Sequence, residues 1–276
     1  MTPPALARSP VVSVDRQPPA LLRFVSDTVT VADMEVRKLR HDPLELLTRA
    51  VQPLLWLVIF GNVMARTHAI PTGGVPYLDF LAPGILAQSS MFVAIFYGIA
   101  VIWERDLGVL HKFLVSPAAR SALVCGKAFS AGVRALSQAV IVYAVAAAMG
   151  VGIRWGVLPL LGMVVAVVLG AAVFATFSLI VACLVKTRER FMGIGQVLTM
   201  PLFFASNAIY PIAVMPAAVR WFAQINPLSY QTDILRSLML LSGVSAFGLT
   251  KDFAVLTGAL VVLVLIAARI YPRVVL

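Results

Sequence analysis

Residues 155–185 read WGVLPLLGMVVAVVLGAAVFATFSLIVACLV and carry no charged side chain. One helical crossing of a hydrocarbon layer about 30 Å thick needs roughly 20 apolar residues. This stretch therefore predicts a transmembrane helix. The whole chain has the same character, since 61% of its 276 residues are hydrophobic and only 12% are charged. Such a composition excludes an ordinary soluble domain and predicts an all-α membrane protein.

Five further charge-poor windows bring the predicted number of spans to six, and they leave no room for a large soluble catalytic domain. The windows are residues 50–65 (with residues borrowed from 44 onward), 80–103, 135–153 (with a start near Lys127), 191–219 and 253–268. The predicted six-helix transmembrane domain covers residues 44–276.

The chain before this domain has two predicted parts. Residues 1–20 contain five prolines and no apolar core, which indicates a disordered cytosolic arm and not a cleavable signal peptide. Residues 21–43 place apolar side chains on one helical face and charges on the others, which predicts an amphipathic helix lying in the membrane interface. The alternative is a surface helix of a small soluble domain.

Residues 207–250, between the fifth and sixth windows, are apolar but repeatedly interrupted by proline and by charged side chains. The pieces are too short to span a bilayer. Irregular backbone at membrane depth must be sheltered by protein or by a water-filled cavity. The pattern therefore predicts a re-entrant or interfacial helical hairpin on the external side.

The loop charges predict the orientation. The chain has 22 Lys and Arg residues against 12 Asp and Glu; 17 of the basic residues fall on the side of the two termini and five on the other side. Cytosolic loops carry an excess of basic residues, so both termini are expected in the cytosol. No basic run is interleaved with stacking aromatics, so no nucleic-acid partner is expected.

The sequence does not predict catalytic chemistry in this chain. No carboxylate lies within a hydrophobic window, since Asp79 precedes the second and Asp252 the sixth; this argues against a proton relay. The three histidines are far apart, so no metal site is expected. The pair Gly126 and Lys127 lacks the other residues of a phosphate-binding loop. We therefore expect no ATP hydrolysis, no catalytic residue and no bound cofactor.

The loop at residues 103–121, WERDLGVLHKFLVSPAARS, mixes charges with apolar residues and then reaches Pro117. It predicts a short amphipathic helix outside the bilayer, which needs an apolar partner surface. A helix lying on the lipid headgroups is the alternative.

From about residue 22 onward the chain resembles permeases of the second ABC exporter type, in particular the daunorubicin-resistance permeases. The loop matches E-R-x-x-G-x-L-x-x-L-x-x-x-P-x-x-R at Glu104, Arg105, Gly108, Leu110, Pro117 and Arg120. A second motif, N-P-L-[ST]-Y-x-x-D-x-[LI]-R, is matched by Asn226, Pro227, Leu228, Ser229, Tyr230, Asp233 and Arg236. Residues 40–61 are similar to the family's entry into its first span. Val109 and His111 depart from the pattern, where Thr and Glu are commoner.

This resemblance implies a permease that pairs with a second permease, identical or homologous, and with two separate ATPase subunits that hold ATP and Mg. The loop would be the coupling helix, with contacts from Glu104, Arg105, Gly108, Leu110, Phe113, Leu114 and Pro117. The second and fifth spans would line the translocation path, with Phe92, Phe96, Tyr97, Phe203, Phe204 and Asn207 as candidates. The external hairpin signature would be Asn226, Pro227, Tyr230, Asp233 and Arg236. Lipid contact or helix packing is the alternative role for each aromatic.

The expected function is ATP-driven export of an amphipathic, drug-like or lipid-like compound across a bacterial cytoplasmic membrane. The alternatives are export of a cell-envelope lipid or polysaccharide, intramembrane modification of a lipid, and sensing of a peptide by a regulatory subunit.

Overall fold

The computed structural model describes residues 43–107, 120–185 and 187–270, together with Ser26 and Asp33. Within these ranges the regular structure is helical, and one isolated antiparallel β-bridge joins Ile153 to Leu240. The α-helices are α1 (Pro43–Leu55), α2 (Gly61–Thr67), α3 (Tyr77–Phe96), α4 (Gly98–Asp106), α5 (Arg120–Ala148), α6 (Val157–Leu184), α7 (Arg188–Phe204), α8 (Ala217–Ile225), α9 (Pro227–Met239) and α10 (Leu249–Ile270). A π-helical turn, Trp56–Phe60, joins α1 to α2, and a 3-10 turn covers Ile212–Val214. The predicted arm and interfacial helix lie outside the described residues, apart from Ser26, Asp33 and the start of α1.

Five helical stretches of the described chain are long and apolar enough to cross a membrane. They are Ala50–Thr67, Tyr77–Ala100, Val124–Ala148, Val157–Leu184 and Leu249–Ile270. The chain is thus confirmed as an all-helical, multi-pass membrane protein.

The predicted fifth window does not form one continuous helix. Its helix α7 has 17 residues, ends at Phe204 and contains Pro201 in its last turn. Two further prolines, Pro211 and Pro216, precede the short helices that follow. Proline lacks a backbone donor and clashes with the preceding helical turn, which accounts for these interruptions. The charge-free window 191–219, which overlaps the predicted hairpin from residue 207 onward, therefore contains one helix that ends at Phe204 and the beginning of the segment after it.

Three helices begin earlier than the charge-free windows predict. Helix α3 includes Asp79 in its first turn, α10 includes Asp252, and α5 begins at Arg120. A carboxylate in the first turn is favourable because the helix dipole is positive there. The expectation that both carboxylates precede their spans is wrong, and the Asp252 side chain is fully buried.

The short helix α9 packs against α3, α6 and α10, three of the membrane-crossing stretches. Its approach to α6 is close: a Cβ on Gly170 would lie 2.1 Å from the Gln231 side chain. The bundle has two ends. The hairpin end holds the turns around residues 68–76, 149–156, 205–216 and 240–248; the loop end holds residues 107, 120 and 184–188.

Candidate functional site

Asn226 joins the end of α7 to the start of α9. Its side-chain oxygen accepts a hydrogen bond from the Leu228 amide at 3.0 Å, which caps α9. Its amide nitrogen donates to the carbonyls of Leu202 at 2.7 Å and Ala205 at 3.0 Å. Those carbonyls lie at the end of α7, where a helix leaves acceptors without internal partners. Pro227 occupies the first turn of α9, where its missing amide donor is not needed.

Arg236 ties α9 to two other segments of the hairpin end. Its Nη2 donates to the Asn207 carbonyl at 2.8 Å and to the Phe80 carbonyl at 3.3 Å. The guanidinium carbon also lies 3.9 Å from the centroid of the Phe80 ring. Burial lowers the pKa of Arg236 to about 10, and the Asp233 carboxylate opposes this shift. The guanidinium therefore stays protonated at neutral pH.

Asp233 holds the loop that leads into α10. One carboxylate oxygen accepts from the amides of Ala246 at 2.8 Å and Phe247 at 3.0 Å, and from the Ser245 hydroxyl at 2.9 Å. The Ser245 oxygen is also 2.9 Å from an oxygen of Asp252. Both carboxylates have no exposed surface. The sequence predicted neither this cluster nor the burial of Asp252.

Tyr230, the remaining member of the hairpin signature, closes the same region. Its hydroxyl donates to the Gln224 carbonyl at the end of α8, and its ring centroid is 4.9 Å from that of Phe247. The structure thus brings the five signature residues to one end of the bundle. There they bind backbone and neighbouring side chains of the same chain.

A cavity of about 380 Å³ opens beside this group, and Asn207, Asp233 and Arg236 contribute to its lining. The side-chain oxygen of Asn207 and one oxygen of Asp233 have no hydrogen-bond partner among the described residues. Asn207 was predicted to lie on the translocation path, and the structure places it with the hairpin signature.

The five aromatic candidates for the translocation path separate into three positions. Phe92 and Phe96 stack on each other, with ring centroids 6.1 Å apart and planes inclined by 27°. Tyr97 is buried, and its hydroxyl hydrogen-bonds the Ser130 hydroxyl at 3.1 Å. Phe203 is also buried, whereas Phe204 is 41% exposed, and both rings lie against Trp56 of the first span. Within one chain, the stacked pair is therefore separate from Phe203 and Phe204.

The stacked pair forms one wall of a cavity of about 130 Å³ between the first and second spans. The cavity is lined by Thr48, Gln52, Pro53, Gln88, Ser89, Phe92, Val93 and Phe96. None of these side chains is charged. We call this cavity the amide pocket, because two glutamines contribute to it.

Gln88 is the most unusual residue of the amide pocket. It lies near the middle of the Tyr77–Ala100 stretch and is 3% exposed. Its side-chain oxygen has no hydrogen-bond partner in the described part of the chain. An unpaired buried acceptor costs about 1–3 kcal/mol, so such a group calls for a ligand, a water molecule or a second subunit. In the sequence, Gln52 and Gln88 were visible only as two of several polar residues within the charge-free windows.

At the loop end, Arg188 connects α7 to α4. Its Nη2 lies 2.9 Å from a carboxylate oxygen of Asp106, and its guanidinium carbon lies 3.7 Å from the centroid of the Trp103 ring. The backbone of Glu104 and Arg105 is helical, but their side chains lie outside the described residues. The other predicted coupling residues, Gly108, Leu110, Phe113, Leu114 and Pro117, also lie outside them. The coupling contacts therefore stay a prediction.

The described residues contain no group of three or more His, Cys, Asp or Glu side chains that could hold a metal ion. What they do contain is a bundle of apolar helices, an uncharged polar pocket between two of them, and charged contacts at both ends. This arrangement defines a multi-pass membrane protein with an uncharged polar pocket between its first two spans; small-molecule sites are commonly found between the helices of a bundle.

The chain belongs to the ABC-2 type transporter family, which matches residues 27–240. It is the membrane permease of such a transporter, a component that lacks an ATPase domain; permeases of this family function with ATPase subunits.

Three relatives illustrate the similarity. A putative transport permease ycf38 of Cyanophora paradoxa is 26% identical over 223 residues, which cover 78% of this chain and 74% of the relative. The daunorubicin resistance ABC transporter permease protein DrrB1 of Streptomyces coeruleorubidus is 25% identical over 222 residues, 80% of this chain and 77% of the relative. Nodulation protein J of Rhizobium leguminosarum bv. trifolii is 29% identical over 200 residues, 71% of this chain and 74% of the relative.

Proposed function

We propose that this permease exports an amphipathic, drug-like or lipid-like compound from a bacterial cell. The amide pocket carries the proposal. Its aromatic wall of Phe92 and Phe96 suits a flat apolar group, and Gln52 and Gln88 suit a neutral group that donates or accepts hydrogen bonds. An ion or a sugar acid would find no charged partner among these lining side chains, and burying it there would be costly.

In the proposed assembly, two permease chains, identical or homologous, combine with two ATPase subunits. The 103–121 loop of each permease binds an ATPase through Leu110, Phe113 and Leu114. Helix α7 is the fifth of six crossings, and α8 and α9 form the external hairpin. The charge distribution supports a cytosolic location for both termini in the cytoplasmic membrane. ATP and Mg are held by the ATPase and not by this chain.

The energy for export would come from a shift between two conformations. ATP binding closes the ATPase subunits, and the loops transmit this closure to the spans. ATP favours the outward-open conformation by a free energy equal to the difference between its binding to the closed ATPase pair and its binding to the open pair.

A second candidate function is export of a cell-envelope lipid or polysaccharide. The same pocket favours it, because glutamine side chains hydrogen-bond hydroxyl groups and aromatic rings can pack against the apolar face of a sugar. Deletion of the gene would separate the two candidates. A change in envelope composition indicates the second function, and a change limited to drug tolerance indicates the first.

The amide pocket is tested with the permease and its ATPase in inverted membrane vesicles. The probes are two fluorescent amphiphiles with the same alkyl tail, one with an uncharged sugar headgroup and the other with a quaternary ammonium headgroup. We expect ATP-dependent uptake of the sugar-headed probe to exceed that of the cationic probe. Gln88→Leu should lower that uptake about 5- to 160-fold, since a buried polar group of the probe left without its partner costs about 1–3 kcal/mol.

Gln224→Leu is the matched control, because this exposed glutamine of α8 lies away from the pocket. Equal uptake of the two probes by wild type, or unchanged uptake after Gln88→Leu, would refute the assignment of the pocket.

A further inference from the structure

The regular α-helical pattern of the second span has a one-residue break just before the loop. Helix α3 ends at Phe96, α4 begins at Gly98, and Tyr97 lies between them. A Cβ on Gly98 would lie 2.2 Å from the Ser178 hydroxyl oxygen and 2.6 Å from the Phe191 ring, so this position accepts only glycine without rearrangement. Ser178 of α6 donates to the Ile95 carbonyl at the same break. Helix α4 therefore continues the second span beyond Tyr97, whose own backbone is helical (φ −60°, ψ −28°), and its nine residues, the α4 arm, lead directly into the loop.

The arm contacts the start of α7 at two levels. Near the break, the buried Phe191 of α7 packs at Gly98. At the far end of the arm, Trp103 and Asp106 lie three residues apart and so share one helical face. Arg188, the first residue of α7, lies against both: 2.9 Å from the carboxylate and 3.7 Å from the indole ring centroid. We call these three side chains the arginine clasp.

Arginine suits this contact better than lysine. Its planar guanidinium can stack on an aromatic ring while its edge binds a carboxylate, whereas an ammonium group is a point charge. All three side chains are partly exposed, with Trp103 at 49%. Solvent screening makes an exposed ion pair a weak contact, and an exposed cation–π contact is of similar strength. The clasp is thus strong enough to bias the position of the arm and weak enough to release it.

We propose that Arg188 is a positioning residue for transport, which makes the α4 arm and the start of α7 move as one body. This inference rests on the proposed function, in which the loop after Asp106 binds the ATPase. Helix α4 is joined to α3 through the backbone, but it is far from α7 along the chain. The clasp gives a movement of the loop a direct route into α7 as well as into α3.

The helix dipole predicts opposite effects of removing Arg188 on the stability of α7, depending on whether the clasp is functional or an incidental surface contact. A cation in the first turn of a helix is unfavourable, because the helix dipole is positive there. Removal of Arg188 should therefore stabilise the start of α7 if the clasp holds nothing. Loosening of α7 after this change requires that the lost contact with α4 outweigh the dipole.

The first test is hydrogen–deuterium exchange of the permease in lipid nanodiscs. Arg188→Ala should speed exchange of the amides in residues 99–107 and 188–192 by roughly 3- to 30-fold, the size expected for the loss of an exposed ion pair and an exposed cation–π contact together. Arg190→Ala is the matched control, because it removes an equally charged, exposed side chain from the same helical turn. Unchanged or slower exchange in Arg188→Ala would overturn the proposal.

The second test measures molecules transported per ATP hydrolysed, with the permease and its ATPase in vesicles and the sugar-headed amphiphile as probe. Arg188→Ala and Asp106→Ala should keep the complex intact and lower this ratio several-fold. Arg188→Lys should lie between them and wild type. Asp106→Arg combined with Arg188→Asp restores the ion pair without the stacked ring, so it should recover part of the ratio. If Arg188 had only a structural role, the transport rate and the ATP hydrolysis rate would fall together, and their ratio would not change.

The outcomes separate this proposal from the proposed function. An intact complex that transports the probe with an unchanged ratio in Arg188→Ala refutes the clasp and leaves the exporter assignment standing. Wild-type permease that binds no ATPase refutes the exporter assignment, and the role of the clasp in coupling is refuted with it.

Discussion

Gly84 gives the sharpest test of the packing at the hairpin end. A Cβ at this position of α3 would lie 2.2 Å from the carbonyl oxygen of Ala208 and 2.8 Å from its Cα. Ordinary contacts of a Cβ are 3.4–4 Å, so Gly84→Ala must push the 205–211 turn away from α3 by about 1 Å. The obstructing atoms are backbone, so no side-chain rotation can relieve the clash.

The expected loss of stability follows from two opposing effects. Overpacking costs about 1–3 kcal/mol, and a backbone clash belongs at the upper end of that range. Alanine is a better helix former than glycine by about 1 kcal/mol, which offsets part of the cost. The net loss is therefore about 2 kcal/mol. For a domain of roughly 150–250 residues this corresponds to a fall in Tm of about 4–8 °C.

The assay is thermal unfolding of the purified permease in nanodiscs at one fixed scan rate. Gly258→Ala is the matched control, because a Cβ at that position of α10 would meet no atom within 4 Å. Its Tm should equal or exceed that of wild type. If the Tm of both variants equals that of wild type, Ala208 does not lie so close to Gly84. The placement of the neighbouring Asn207 carbonyl beside Arg236 is then refuted as well.

Two other predictions concern the assembly and the topology. Changing Leu110 and Phe113 together to Ser should leave the permease in the membrane but remove the ATPase from the purified complex, since burial of each apolar side chain is worth about 1.5–3 kcal/mol. The control is the change of Leu241 and Val244, at the hairpin end, to Ser. Equal recovery of ATPase with wild type, the double variant and the control would refute the coupling assignment. After Cys125 and Cys183 are replaced by Ala, an impermeant thiol reagent outside intact cells should label Val244→Cys, which is 79% exposed, and should not label Leu107→Cys, which is 69% exposed; the reverse pattern would refute the orientation.

Hydropathy predicted the membrane class and most of the spans because it sums many residues. A window such as residues 155–185 is apolar over its whole length, and no local detail can outweigh it. The family was recognised from two short motifs around Glu104 and Asn226. Their polar residues stand out in a chain that is otherwise apolar.

Helix boundaries were harder to predict because polar groups at helix ends find partners far away along the chain. Asp79 accepts a hydrogen bond from the Gly152 amide at 3.3 Å, and Asp252 shares the Ser245 hydroxyl with Asp233. A window that stops at each carboxylate cannot include these contacts. The same limit applies to the amide pocket, since Gln52 and Gln88 line one cavity only because two spans pack together.

The contacts of α9 give a physical reason for the spacing of the hairpin signature. Gln231 of this helix donates to the Ser90 hydroxyl at 3.2 Å, Asp233 binds the loop before α10, and Arg236 binds carbonyls of α3 and of the 205–211 turn. A slip of one residue would rotate α9 by about 100° and leave several buried polar groups unpaired, at about 1–3 kcal/mol each.

The signature therefore sets the register of α9 in the bundle, and it does so with groups that are already engaged by the chain itself. Side chains that hold the fold in this way cannot change with the cargo without loss of stability. Differences in cargo among permeases with this signature should instead arise at positions such as Gln52 and Gln88, whose polar groups line an open pocket and carry little of the packing at the hairpin end.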